Sequence, residues 1–361
     1  MSWTQKTLGE IVNLKRGFDL PSSSRVDGPY PVFSSSGQTG THSEAAVKGP
    51  CVVTGRYGTI GQVFFSDAAC WPLNTSLYST DFKGNDPKFV YYLLKTIPWR
   101  DYLTASAVPG INRNHVHLCP VCVPDHETQT AISGVLGLLD NKIELNTKLN
   151  GYLEEQCEAV ANHEKGLAVE LSSLCDLVKE KADYNEADFD TYVSTESLLP
   201  GKKGRQAPSS LPQTGKVTVY KAGDILVSNI RPYFKKIWYA DRTGTCSGDV
   251  LVFRAKQPEQ SGYLYSCMRS DAFFDYVMKG AKGTKMPRGD KKQMLTYKVA
   301  SNPSGATVDF IESALSQASS SSKENHRLAA LRDNLLPKLM SGEIDVSKVD
   351  LKQLNSHLAA C

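Results

Sequence analysis

The sequence predicts an α+β chain. Two β-rich globular regions are separated by two long helices that pair as an antiparallel coiled coil, with approximate two-fold symmetry. Three observations carry that prediction. The chain is written twice: Leu8-Gly9-Glu10-Ile11-Val12 returns 166 positions later as Leu174-Cys175-Asp176-Leu177-Val178, and Val52-Val53-Thr54-Gly55-Arg56 has a counterpart in Leu226-Val227-Ser228-Asn229-Ile230-Arg231. Each half opens with short β-like runs broken by Gly, Pro and Ser. Each half then closes on a segment of helical period, one from about Glu127 and one from about Thr307.

The elements follow in order. Cys51-Val52-Val53, Gln62-Val63-Phe64-Phe65 and Ser76-Leu77-Tyr78-Ser79 read as strands of the first half. A helical insert over 87–103 carries Phe89, Tyr92, Leu93 and Trp99. From Glu127 the apolar positions Ile132, Val135, Leu139, Ile143, Leu149 and Leu153 follow a 3/4 alternation interrupted at Asn146. That stripe predicts one amphipathic helix of roughly 35 residues, about 50 Å long. After Leu171 the β texture resumes in Val217-Thr218-Val219-Tyr220, Ile225-Leu226-Val227 and Val250-Leu251-Val252-Phe253. A second insert is marked by Tyr263, Tyr265, Phe273, Phe274 and Tyr276. The last long helix carries Ile311, Leu315, Leu328, Leu331, Leu335 and Leu339, crosses the weak run Ser319-Ser320-Ser321-Ser322, and stops at Gly342. The resulting division is 1–125, helix 126–165, 166–303, helix 304–346 and a tail at 347–361.

With 361 residues, 40% apolar and 22% charged, the chain has the composition of a globular protein large enough for two or three domains. No run approaches the roughly 18 uncharged apolar residues that span a bilayer, and Met1-Ser2-Trp3-Thr4-Gln5-Lys6 lacks the layout of a signal peptide. Nine scattered cysteines argue against a disulfide framework, so a cytoplasmic protein with reduced thiols is expected. The net charge of +3 conceals an uneven distribution. Residues 201–303 hold 19 Lys+Arg against 7 Asp+Glu, whereas 170–200 hold 8 acidic against 2 basic. A stretch so positive attracts polyanions, nucleic acid first among them; the plainer reading is a solvated basic face.

His115-Val116-His117-Leu118-Cys119-Pro120-Val121-Cys122 has the Cys-x-x-Cys spacing of a zinc site. A straight strand through it would put Cys119 and Cys122 on opposite faces, which argues against one metal. The sequence has no Gly-x-x-x-x-Gly-Lys-Ser/Thr phosphate loop and no Asn/Asp-Pro-Pro-Tyr run, since Asn85-Asp86-Pro87-Lys88 lacks the second proline. No catalytic constellation is recognisable, and the chain is read as non-enzymatic.

The ending Leu331-Arg332-Asp333-Asn334-Leu335-Leu336-Pro337-Lys338-Leu339-Met340-Ser341-Gly342-Glu343-Ile344 is similar to the close of the second spacer helix in DNA-specificity (S) subunits of Type I restriction–modification systems. Pro124-Asp125-His126-Glu127-Thr128-Gln129-Thr130-Ala131-Ile132 resembles that family's entry to the first helix, with Thr128 inserted between Glu and Gln. Further matches are Gly28-Pro29-Tyr30-Pro31-Val32-Phe33-Ser34-Ser35-Ser36-Gly37 and Gly55-Arg56-Tyr57-Gly58-Thr59-Ile60-Gly61. Lys285-Met286-Pro287-Arg288 sits where the first half has Val108-Pro109-Gly110-Ile111-Asn112-Arg113.

The resemblance implies two target recognition domains, 1–125 and 166–303, each reading one half of an asymmetric bipartite site on double-stranded DNA. The helices would set the gap and dock two methylation (M) subunits, with restriction (R) subunits joining the full complex. It implies no cofactor on this chain: S-adenosylmethionine would belong to the M subunits, and ATP with Mg to the R subunits. The donors expected at DNA are Lys15, Arg16, Arg56, Asn74, Asn112, Arg113 and Asn114 in the first domain. In the second they are Lys202, Lys203 and Arg205, then Asn229, Arg231, Tyr233, Lys235 and Lys236, then Lys282, Lys285 and Arg288. The alternatives are a specificity module of another restriction class, or a zinc-dependent hydrolase using His115, His117, Cys119 and Cys122.

Overall fold

The structure is a computed structural model describing residues 3–104 and 109–360; Met1, Ser2, Val108 and Cys361 lie outside the described residues. The chain forms two compact units. One joins Met1–Ile143 to His326–Cys361, and the other is Glu144–Asn325.

In the first unit, strand Trp3–Thr7 pairs antiparallel with Pro120–Pro124 and leads into a helical turn, Leu8–Ile11. A four-stranded antiparallel sheet follows, ordered Asn13–Arg16, Ser76–Asp81, Cys51–Gly55, Val63–Ser66. Helix Pro87–Thr96 covers one face of it. Asp86 caps that helix by accepting from the Phe89 N–H at 2.7 Å, and Pro87 occupies its first turn. The helix ends before the residue preceding Pro98, shorter than the 87–103 expected, because the pre-proline position disfavours helix. The core of Leu8, Ile11, Leu14, Phe89 and Leu93 extends to Ile132, Leu136, Leu339 and Met340.

The second unit repeats this plan. Strand Ala168–Glu170 pairs with Lys298–Ala300 and leads into the turn Leu171–Leu174. The sheet order is Cys175–Leu177, Val250–Ala255, Ile225–Ser228, Ile237–Tyr239. The structural match of Leu8 is therefore Leu171, and the repeat is 163 residues rather than 166. Both leucines are fully buried at the start of the turn. Their N–H groups donate to equivalent carbonyls, Leu8 to Cys119 at 2.8 Å and Leu171 to Tyr297 at 2.9 Å. The mistaken offset arises because Leu174 and Leu177 reproduce the same apolar spacing one turn later. The second insert is two helices, Ser261–Arg269 and Asp271–Lys279, broken at Ser270, whose hydroxyl caps the second.

The long helices are His126–His163 and Gly305–Met340, so the second continues through the serine run. They pack antiparallel inside each unit. In the first, Arg332 reaches Asp140 at 2.7 Å. In the second, Asn146 donates to Glu324 and Asn325 at 2.6 and 3.0 Å, and Asn150 to Ser322 at 3.1 Å. The buried stripe corrects the expected one. Asn146 is 6% exposed and belongs to the seam it was expected to interrupt, whereas Leu149 and Leu331 are 43% and 46% exposed. Ser321 is likewise buried in the seam. Seam spacing of three and four residues leads from Leu139 through Ile143, Asn146, Asn150 and Leu153 to Cys157. Gly342, at φ +77°, turns the chain out of the second helix against the Trp3 ring. The tail at 347–361 contains a further helix, Leu351–Ala360; Val349, Leu351 and Leu354 pack on the first unit's core. No helix among the described residues is long and apolar enough to cross a membrane.

Candidate nucleic-acid interface

In each unit the donors collect at the same end of the repeated sheet. In the first unit this end is formed where Asn13–Arg16 and Cys51–Gly55 finish and Ser76–Asp81 begins. Main-chain bonds tie the segments together: Gly17 to Ser76, Asn74 to Phe18, Arg56 to Thr75 and Ile111 to Arg56, all at 2.9–3.1 Å. Arg16 and Lys15 are exposed, with Arg16 3.9 Å from Asp19. Asn74 donates to the Asp19 carboxylate. The Arg56 guanidinium lies 4.5 Å over the Tyr57 ring. Asn112 caps the short helix Arg113–Val116 by accepting from Asn114, which leaves Arg113 and Asn114 exposed at the turn.

The second unit builds the equivalent end from Asn229–Arg231, the turn before Ile237–Tyr239, and the segment around Arg288. Asn229 receives its place from an N–H bond to Asp249 at 2.8 Å, and the Arg231 N–H donates to Pro287 at 2.7 Å. Ile230 and Arg288 form an isolated antiparallel bridge, as Tyr57 and Gly110 do in the first unit. The pairing of 285–288 with 109–113 expected from sequence is thus realised as the same structural slot. Arg288 is half-exposed and 3.2 Å from Asp249; Lys282 and Lys285 are exposed, Lys282 lying 3.5 Å from Asp290. The Asn229 Oδ1 and Arg231 Nε atoms are buried with no hydrogen-bond partner among the described residues. Buried polar atoms of that kind ordinarily have a reason to be there.

Several expected donors are turned inward instead. Lys202 is largely buried, with its ammonium 3.2 Å from Glu158 and 2.8 Å from Asp271. Arg205 lies 5.1 Å over the Trp238 ring and donates to the Asp190 carbonyl; burial lowers its pKa from the ordinary value. Lys236 donates to the Thr195 carbonyl at 2.7 Å, and burial lowers its pKa as well. Lys235 pairs with Asp271 at 3.0 Å. The loop over 199–205 braces the sheet end, and among its basic residues Lys203 is exposed while Lys202 and Arg205 are partly buried. Sequence alone missed Asp249 and Phe234, whose roles depend on contacts far along the chain.

In each unit the helix that covers the sheet is tied to a long helix by a tyrosine–carboxylate–arginine chain. In the first unit Tyr92 donates to Asp140 at 2.6 Å, and Asp140 meets Arg332. In the second Tyr265 donates to Glu154 at 3.1 Å, while Arg269, 6% exposed, lies 3.3 Å from Glu154 and 2.8 Å from Glu158. Burial raises the Glu154 carboxyl above its ordinary range, with Arg269 and then Tyr265 pulling the other way.

The residues of the alternative zinc reading do not converge. His115 lies in the helix Arg113–Val116 rather than a strand, His117 Nε2 accepts from the Leu14 N–H at 3.0 Å, Cys119 is buried and Cys122 is exposed. Among the described residues no group of three His, Cys, Asp or Glu is placed to hold a metal ion.

The family model of the Type I restriction modification DNA specificity domain matches residues 1–155. The chain is 21% identical over 404 aligned residues to the Type I restriction enzyme EcoDI specificity subunit of Escherichia coli, covering 95% of this chain and 89% of that one. The chain is thus similar to Type I specificity subunits, by family model over its first 155 residues and by alignment over most of its length. A solved S subunit of a Type-I restriction-modification system from M. genitalium shares its fold, with a TM-score of 0.55, 16% identity, and coverage of 94% and 96% of the two chains. The likeness to these specificity subunits runs through both halves, as the repeated sheet does.

Proposed function

We propose that the chain is the DNA-reading subunit of a Type I restriction–modification complex. Each unit reads one half of an asymmetric bipartite site on double-stranded DNA. The observation that carries this is the repeated sheet end, which in both units gathers arginine, lysine and asparagine donors at one edge. Guanidinium and amide groups are what base edges in a major groove require, and lysines serve the phosphates. The donors we assign to DNA are Arg16, Arg56, Asn74, Arg113 and Asn114 in one half, and Asn229, Arg231, Lys282, Lys285 and Arg288 in the other.

The chain itself carries no reaction and no cofactor in this reading. Two M subunits with S-adenosylmethionine dock on the long helices, R subunits with ATP and Mg complete the complex, and the assembly works in the cytoplasm. The helices set the gap between half-sites. Removing one matched heptad from each, residues 147–153 and 318–324, keeps Asn146 opposite Asn325 while shortening the pair by about 10 Å at 1.5 Å per residue. Mapping methylated adenines in a host carrying this variant is expected to show both half-sites intact and a gap shorter by about three base pairs at 3.4 Å each. An unchanged gap overturns the assignment of the helices; two altered half-sites overturn the assignment of the readers.

A further inference from the structure

The hairpin between strands Ile225–Ser228 and Ile237–Tyr239 ends in a tight turn, Pro232–Phe234, flanked by two non-glycine residues in left-handed conformation, Arg231 at φ +51° and Lys235 at φ +49°. Such outliers persist only where surrounding structure over-determines them. Here it does so from three sides. The Arg231 N–H donates to Pro287; the Gly201 and Lys202 N–H groups donate to the carbonyls of Phe234 and Lys235 at 2.8 and 2.9 Å; and Asp271 holds the Lys235 ammonium. This bracing presents Tyr233 and Phe234 to solvent, 47% and 37% exposed, with ring centroids 4.6 Å apart. An aromatic pair held rigid on the outside of a protein is costly unless something covers it.

The pair stands at the sheet end where Arg231 and Arg288 lie, so its covering partner is anionic and offers flat apolar surface. Duplex DNA has both properties. Resting on the function proposed above, we infer that Tyr233 and Phe234 form an aromatic wedge that enters a base step of the half-site read by the second unit and unstacks it, as apolar side chains do in proteins that kink DNA. The exposed Lys282 and Lys285, on the segment bonded to Arg231, hold the phosphates while the rings contact bases. Among the described residues the first unit's corresponding hairpin carries no exposed aromatic pair: it takes positive φ at Gly58 and Gly61, and Tyr57 is half-buried beside Gly110.

The test uses the chain assembled with its methylation subunits, on the duplex identified by methylation mapping, with 2-aminopurine placed in turn at each position of the second unit's half-site. The wild type is expected to raise fluorescence at one step. The double substitution Tyr233→Ala, Phe234→Ala is expected to abolish that rise and weaken binding by about ten-fold or more, the scale of lost aromatic–base stacking. Its salt dependence should stay unchanged, because no phosphate contact is lost, whereas Lys285→Ala should lower the salt slope. An unchanged melting temperature of the second unit shows that the variant is folded. Selective wild-type binding with no fluorescence rise, or with an unaffected double variant, overturns the wedge alone. Loss of methylation-subunit binding by the double variant assigns the tip to a protein partner and also overturns it. A wild-type complex that does not distinguish the mapped duplex from a scrambled one overturns the underlying function instead.

Discussion

The two reading ends share one sheet order and differ in how the central hairpin is made. In the first unit Gly55, Gly58 and Gly61 shape the loop. A Cβ on Gly55 would lie 1.8 Å from the Thr59 carbonyl oxygen, so the tight turn demands its absence. In the second unit Asn229 fills the corresponding place, and the positive φ angles fall on Arg231 and Lys235. Left-handed backbone at such residues costs roughly 1–2 kcal/mol each. One half thus obtains its loop by removing side chains, the other by keeping charged side chains under strain. A common frame can carry different readers because the strain is borne by neighbours outside the hairpin.

The largest effect should come from breaking the second unit's anchor. Arg269→Met leaves Glu154 without its buried cation and Glu158 with Lys202 alone, and removing one partner of a buried ion pair typically costs about 3–5 kcal/mol. Calorimetry should show the melting of the second unit lowered while that of the first is unaffected; equal lowering of both would contradict their separate anchoring. Next comes a matched pair across the hairpins. Gly55→Ala forces the backbone apart and is expected to destabilise the first unit by about 1–3 kcal/mol. Asn229→Ala removes an amide whose oxygen has no partner among the described residues, so stability should change by well under 1 kcal/mol while the second half-site is read less faithfully. Similar stability losses at both positions would erase the contrast drawn here.

The smallest effect concerns pH. Hydrogen bonds from Lys202 and then Lys235 hold the exposed Asp271 carboxyl below its ordinary pKa. A depressed carboxyl contributes stability that is fully present above its unfolded value and lost as pH falls through the folded one. Acidification below the usual carboxylate range should therefore loosen the second hairpin's brace first, seen as faster amide exchange at Gly201 and Lys202. Asp271→Asn should show that faster exchange already at neutral pH, with its acid dependence removed. Unchanged exchange in the variant would show that the brace does not depend on this carboxylate.

The frame was largely legible in the sequence, and the brace was not. The heptad spacing identified both long helices because apolar periodicity is a local property. Asn146 was misread as a break because an amide is apolar-seam material only when another chain segment, here Glu324 and Asn325, satisfies it. Lys202 is expected at DNA from its sequence, yet its carboxylate partner Glu158 precedes it by 44 residues on a helix. Nothing nearby in sequence marks that pairing. The positive φ of Arg231 is equally silent, since arginine carries no preference for it; only the bonds from 285–288 and 199–202 impose it. At the candidate site the residue types could be read from sequence, while which of them remain free depended on long-range ion pairs.

The uneven make-up of the two units has a consequence for biosynthesis. The second unit is one continuous stretch, Glu144–Asn325, and can close as soon as it has left the ribosome. The first opens before the second but is completed by residues made after it, including Leu335, Leu336, Leu339 and Met340, which pack beside Leu8, Phe89 and Ile132. Throughout most of translation its apolar core waits without a lid, the condition in which nascent chains aggregate or recruit chaperones. A transcript truncated before His326 would thus yield a finished second reader tethered to an unfinished first one.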